Sequence, residues 1–305
     1  MASGYDEKLY FLAFDHRESL QRKMFGIQGA PTAEQTETIR DAKRLVFEGL
    51  LATVVRGMAA DVTGVLIDEQ FGSDIPAHAR EHGLRLAMPV EKSGQDEFDF
   101  EYGEQFGEHI ERFEPDFAKA LVRLNPDGNR AMNVRQLTRL GRLSDWLHER
   151  RRKLLFELLV PATEAQLTRV RGDSDRYDAE LRPELMRRAI GQIQDAGIEV
   201  DVWKIEGMDE RSDAEMLAEQ TRAGAGRERV RCVVLGRGAS TERVEQWLRQ
   251  AAPVEGFIGF AIGRSIWWDA LEGYLGATLD RARARDQIAE NYLNFVRIYE
   301  HQEVL

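Results

Sequence analysis

Val200-Asp201-Val202-Trp203-Lys204-Ile205-Glu206-Gly207 places one lysine inside a short, otherwise strand-like run. Val, Trp and Ile favour a buried strand, and Gly207 with Asp209 ends it. Period-2 alternation sends Val202, Lys204 and Glu206 to one side and Asp201, Trp203 and Ile205 to the other. A lysine in mid-strand is costly to bury unless it is paired or used. By itself the stretch favours a structural lysine paired with Glu206 or another acid. The neighbouring runs decide what kind of strand this is.

Seven further apolar runs flank it: Lys8 to Phe14, Gly64 to Asp68, Leu84 to Pro89, Phe117 to Arg123, Lys153 to Val160, Arg231 to Leu235 and Gly256 to Ala261. The first is near-continuous rather than alternating, which suits a parallel strand covered on both faces. Helical patterns separate nearly all of the runs. Thr32 to Arg56 carries Ile39, Ala42, Leu45, Val46, Leu50 and Val54 at helical spacing, opened by Pro31 and Thr32. Ile75 to His82, Val134 to Arg151 and a segment from Pro183 to Gly197 read as further helices. Ser212-Asp213-Ala214-Glu215 reads as a capping box opening another. Val90 to Tyr102 is a long polar loop whose aromatics argue for order, and Pro161 to Arg182 is irregular. Two helical segments close the chain.

Alternating strand and helix implies a parallel sheet, and eight units in 305 residues imply a closed (β/α)8 TIM barrel. With no Pro-, Gly- or Ser-rich linker, residues 1–305 read as one domain carrying an extra C-terminal helix. The apolar face of that helix (Ile288, Tyr292, Phe295, Val296, Tyr299) suits an interface, so a homo-oligomer is expected.

The net charge of −11 argues against a nucleic-acid-binding surface but allows a local basic pocket for an anionic metabolite. Cys232 is the single cysteine, so there is neither a disulfide framework nor a thiolate zinc site. Met1 to Lys8 lacks a signal-peptide pattern, and no run approaches the roughly 18 apolar residues of a membrane span. A cytoplasmic protein without a membrane partner is expected. His78-Ala79-Arg80-Glu81-His82 matches an H-x-x-E-H zinc pattern, but it sits between strands two and three, remote from the strand ends. Arg150-Arg151-Arg152-Lys153 reads as a solvated helix end. No metal or cofactor is expected.

In this fold the active site lies where strands end and the following loops begin. The candidates there are Asp15, His16 and Arg17 on the first strand, Asp68 and Glu69 on the second, Lys119 and Arg123 on the fourth, Glu157 on the fifth, and Lys204 and Glu206 on the sixth. Only seven lysines occur in the chain, and two fall in mid-strand. A Schiff base requires a neutral amine, which arginine cannot supply. Lys204 is therefore the candidate nucleophile, Lys119 a second cation able to lower its pKa, and Glu157 the proton carrier between them. Gly236-Arg237-Gly238 and Gly263-Arg264-Ser265 place glycines at the last two strand-to-helix turns, where backbone amides can approach a phosphate.

These residues together resemble a class I aldolase group that includes tagatose-1,6-bisphosphate aldolase and the sulfofructose-phosphate aldolases. The resemblance rests on Ala13-Phe14-Asp15-His16-Arg17, Leu66-Ile67-Asp68, Ala118-Lys119, Phe156-Glu157, Val202-Trp203-Lys204-Ile205-Glu206 and the two glycine turns. Glu91-Lys92-Ser93-Gly94-Gln95, Glu97 to Gly103 and Gly263 to Trp268 are closer to the aldolase-like domain fused to 5-dehydro-2-deoxygluconokinase in bacterial inositol catabolism, although residues 1–305 are expected to form the barrel alone, without the kinase part. The resemblance implies Lys204 as the Schiff-base lysine, Glu157 as the acid/base, Asp15 and Lys119 as polar partners, and Gly238 and Arg264 as phosphate contacts. It implies retro-aldol cleavage of a phosphorylated keto sugar or keto sugar acid to dihydroxyacetone phosphate and an aldehyde, with 2-deoxy-5-keto-gluconate 6-phosphate one such substrate. Arg17, Arg123 or Arg237 could hold a substrate carboxylate. Two other readings remain open: a phosphate-binding isomerase or decarboxylase using Lys204 electrostatically, and a non-catalytic regulatory barrel.

Overall fold

Eight parallel strands each pair with the next in sequence, and the last pairs with the first to close a barrel. The computed structural model describes residues 3–300. The strands are β1 (Leu9–Ala13), β2 (Thr63–Leu66), β3 (Arg85–Pro89), β4 (Phe117–Arg123), β5 (Lys153–Leu159), β6 (Val202–Glu206), β7 (Arg231–Leu235) and β8 (Phe257–Ile262). The TIM barrel expected from the alternating pattern is the fold observed.

Two cores explain why the strand runs are apolar on both faces. Leu9, Phe11, Leu66, Phe117, Leu155, Val202 and Val233 point inward and fill the barrel. Their alternates, Trp203 and Ile205 among them, point outward under the helices. The Trp203 ring lies 5.0 Å from that of Phe156 on the neighbouring strand. With Val202 inside and Trp203 outside, the pleat sends Lys204 inward, one repeat above the floor. That floor is closed by Tyr5, whose ring meets Phe117 edge-on at 5.1 Å. Asp201 ties it together by accepting from the Gly4 amide at 2.9 Å and the Leu154 amide at 2.8 Å.

Several local expectations change. The helix Arg211–Thr221 starts at Glu210, without a side-chain cap. Ser212 already lies inside its first turn and cannot take the extended backbone a cap needs, so the box expected at Ser212 to Glu215 does not form. Thr32 and Gln35 instead make a full capping box on the helix Ala33–Val55. The stretch read as irregular contains two short helices, Glu164–Arg169 and Ser174–Glu180, started by Thr163 and Asp173. A helix, Phe106–Phe113, follows the long loop after β3; its buried Phe106, Ile110 and Phe113 have the 4-and-3 spacing that would have identified it.

The apolar face of the last helix, Arg281–Tyr299, is used inside the chain. Ile288, Tyr292 and Phe295 are buried, the Tyr292 hydroxyl donates to the Tyr10 carbonyl at 2.7 Å, and Gly49 lets Ile288 approach the helix Ala33–Val55. This corrects its reading as an oligomer surface, because its apolar area is already spent on the barrel. Among the described residues, no helix is long and apolar enough to cross a membrane.

Gly259 has the tightest backbone approach of the seam that closes the barrel. Its φ is +150°, and a Cβ there would lie 2.0 Å from the Leu9 carbonyl oxygen. Gly259→Ala is therefore expected to cost at least ~2 kcal/mol, because the β1–β8 pairing must shift to admit the methyl. The urea midpoint should fall with an unchanged slope; a midpoint within error of the parent would show that the seam relaxes freely.

Candidate active site

At the carboxyl ends of the strands, side chains from β4, β5 and β6 and from the segments just after β1 and β3 converge on one buried cluster. Strand pairing places Glu157 beside Lys204. Lys204 Nζ lies 3.0 Å from Glu157 Oε2, and Lys119 Nζ lies 2.9 Å from the same oxygen. Neither contact is aligned as a hydrogen bond, so Oε2 keeps lone-pair capacity for a proton. Lys119 also donates to Asp15 Oδ2 and Glu91 Oε1, each at 2.8 Å.

The two lysines are thereby given different characters. Burial opposes charge on Lys119, but Asp15, Glu157 and Glu91 outweigh it and hold its pKa well above the usual lysine value. Lys119 stays an ammonium ion and organises the carboxylates. Lys204 has one carboxylate within ion-pair reach among the described residues, and that carboxylate can also take its proton. The carboxylates differ too. Burial pushes Glu157 and Asp15 up, yet Lys119 and Lys204 pull both below the ordinary carboxylate range. Glu91 remains raised by burial despite Lys119 and Arg17. His16 is pushed down to about 4 by burial and is neutral at pH 7. Carboxyl groups with pKa values driven apart are the usual mark of divided acid and base roles.

The cluster forms the floor of a cavity of about 410 Å3. Nine Lys or Arg side chains and four Asp or Glu line it, the reverse of the chain's overall acidity. Gly236, Gly238, Gly263 and Arg264 form one wall. Gly238 sits at φ +76°, and a Cβ there would lie 2.2 Å from the Arg264 guanidinium. Arg264 donates to the Arg237 carbonyl at 3.1 Å and has no carboxylate within ion-pair distance among the described residues. It starts the helix Arg264–Leu275, whose N-terminus has no side-chain cap. A guanidinium without a carboxylate partner, an uncapped helix start and glycine turns are the chemistry that can receive an anion.

The other predicted arginines have protein partners. Arg17 donates to the Glu91 carbonyl at 2.7 Å and lies 3.2 Å from Glu101, so it pins the loop after β3 while still lining the cavity. Arg237 is paired with Asp178 at 2.7 Å and Glu206 at 3.1 Å, which leaves it no charge to offer a substrate carboxylate. Arg237 rather than Lys204 is thus the partner of Glu206. Asp68 is structural: it pairs with buried Lys43 and caps the helix Glu69–Gly72. His78 and His82 are exposed and remote, and no cluster able to hold a metal ion occurs among the described residues.

Glu91 is the site residue that sequence reasoning missed. It follows β3 by two residues, where the strand-end rule would have placed it, but the polar run after it disguised it as loop. His16 was noted without a role; it lines the cavity, and its buried Nδ1 lacks a partner.

With this geometry in place, comparison with known proteins gives a family. Residues 2–303 match the family described as "Uncharacterized protein conserved in bacteria (DUF2090)". The chain belongs to it. Among solved structures, it resembles fructose-bisphosphate aldolase from Plasmodium falciparum, determined in complex with TRAP and a small-molecule inhibitor, with a TM-score of 0.70. That match covers 98% of this chain and 92% of the other at 12% identity, which shows a shared barrel fold and no more. No curated protein sequence matches.

Proposed function

We propose that this DUF2090 member is a class I aldolase, in which Lys204 forms an iminium with the ketone of a phosphorylated keto sugar or keto sugar acid. The observation that carries the reading is the shared Glu157 Oε2, 3.0 Å from Lys204 Nζ and 2.9 Å from Lys119 Nζ. Glu157 takes a proton from the Lys204 ammonium, and the neutral amine adds to the carbonyl carbon while one of its remaining N–H protons passes to the carbonyl oxygen, giving the carbinolamine. Glu157 returns the proton to the carbinolamine hydroxyl, which leaves as water. The iminium then accepts the electron pair of the breaking C–C bond, the aldehyde departs as its hydroxyl proton passes to a carboxylate, and an enamine remains. Protonation of the enamine and addition of water release dihydroxyacetone phosphate and the lysine.

Lys119, fixed as a cation, keeps Asp15 and Glu157 ionised at neutral pH and so available as bases. The wall of Gly236, Gly238, Gly263 and Arg264 takes the phosphate, and the bound substrate displaces water from above a floor of buried side chains. The sequence resemblance narrows the substrate further, to 2-deoxy-5-keto-gluconate 6-phosphate.

The test is aldol cleavage across a panel of phosphorylated keto sugars and keto sugar acids, measured with and without EDTA. Cleavage that survives chelation supports the reading, and cleavage abolished by EDTA contradicts the Schiff-base route. In the active assay, Arg264→Ala should raise KM by roughly 10- to 100-fold with a smaller effect on kcat, since a phosphate-binding cation serves ground and transition states alike. An unchanged KM would remove Arg264 from the phosphate site.

A further inference from the structure

Resting on that reading, we propose that Arg123 selects the substrate by binding a second oxyanion, at the end of the molecule remote from the phosphate held by Arg264. Three observations support this. Arg123 donates to the Gln95 carbonyl at 2.7 Å and has no carboxylate within ion-pair distance among the described residues, whereas Arg17 and Arg237 are both paired. An unneutralised guanidinium at a cavity wall is a ready partner for a carboxylate or a phosphate.

Its position is also apt. Arg123 ends β4 and Arg264 follows β8, and in the closed order of eight these strands lie opposite each other. Lys204 on β6 lies midway between them. Strand register places Leu121 level with Glu157 and Glu157 level with Lys204, so Arg123 is two residues nearer the mouth. That is a rise of about 6–7 Å, the length of a short carbon chain beyond the reacting carbonyl.

Finally, Arg123 forms part of the wall shared with a second cavity of about 310 Å3. Leu159 to Ala162 and Leu167 line that cavity together with Ser174, Glu206 and Arg237, and the Tyr177 hydroxyl there already donates to the Val160 carbonyl. Arg237 is paired with Asp178 and Glu206, so Arg123 is the cation of this wall left without a carboxylate partner among the described residues. The departing aldehyde is therefore terminated by an anion.

The experiment runs the reaction in the condensation direction, with dihydroxyacetone phosphate as donor. Three acceptors are compared: succinate semialdehyde, glyceraldehyde 3-phosphate and uncharged glyceraldehyde. Arg123→Gln should lower kcat/KM for an anionic acceptor by ~100-fold more than for glyceraldehyde, mainly through KM, with Arg123→Lys recovering part of the loss. Whether succinate semialdehyde or glyceraldehyde 3-phosphate suffers the loss identifies the oxyanion as carboxylate or phosphate. Equal losses for all three acceptors would overturn the assignment of Arg123 while leaving the aldolase reading intact. Failure of the parent enzyme to form a borohydride-stable adduct with dihydroxyacetone phosphate would overturn both.

Discussion

On the proposed Schiff-base reading, Lys204→Met is expected to lower aldol cleavage by ~10^4-fold or more while leaving the fold intact, because no other side chain can replace a covalent nucleophile. Lys204 is only 3% exposed, and methionine nearly matches the length of its buried stem. Truncation removes one cation from Glu157, but Lys119 still lies 2.9 Å from the same oxygen, so no carboxylate is left without a counter-charge. The variant should therefore unfold within about 1–2 kcal/mol of the parent. Lys204→Arg keeps the charge, cannot form an imine, and should be as inactive. If Lys204→Arg retained more than a few per cent of the parent rate, Lys204 would be acting electrostatically and the isomerase or decarboxylase reading would replace the aldolase.

Lys119→Met should behave in the opposite way, failing first in stability. It leaves Asp15, Glu91 and Glu157, all buried, around a vanished cation. Removing one partner of a buried ion pair costs ~3–5 kcal/mol, and here three carboxylates share the loss. The cost should shrink in acid. Asp15 and Glu157 in the parent lie below the ordinary carboxylate range, so the stability from their ionisation is present above about pH 4 and is lost as the pH falls further. In the variant the same groups rise toward protonation, which relieves their repulsion. The gap in unfolding free energy between parent and variant should thus be larger at pH 7 than at pH 4. A gap that stayed constant across that range would mean the carboxylates are not held by Lys119.

The barrel could be read from sequence because its signals are repetitive. Eight apolar runs alternating with helical periods have few other solutions, and Trp203 and Ile205 beside Lys204 already indicated which face the lysine takes. The coincidence of Lys119, Glu157 and Lys204 on successive strands was legible for the same reason, since strand position converts to spatial level. Loops carry no such period. Glu91 belongs to the cluster because the Arg17 bonds and the Glu91–Phe100 bridge fold its loop back over β4, a long-range arrangement that no local pattern reports. Competition among arginines was hidden for a related reason. Arg17, Arg123 and Arg237 look alike in sequence, and only Glu101, Asp178 and Glu206 arriving from elsewhere show which two are already spent. The last helix failed in the reverse direction: its apolar face was correctly seen, but its partner is the helix Ala33–Val55, over two hundred residues away in the chain.

The most direct test of the central claim is borohydride reduction of the protein in the presence of dihydroxyacetone phosphate, followed by peptide mass mapping. The account predicts one adduct per chain, on the peptide containing Lys204, absent in Lys204→Arg and absent without reductant. An adduct on Lys119, or no adduct at a concentration of dihydroxyacetone phosphate that raises the melting temperature, would contradict it.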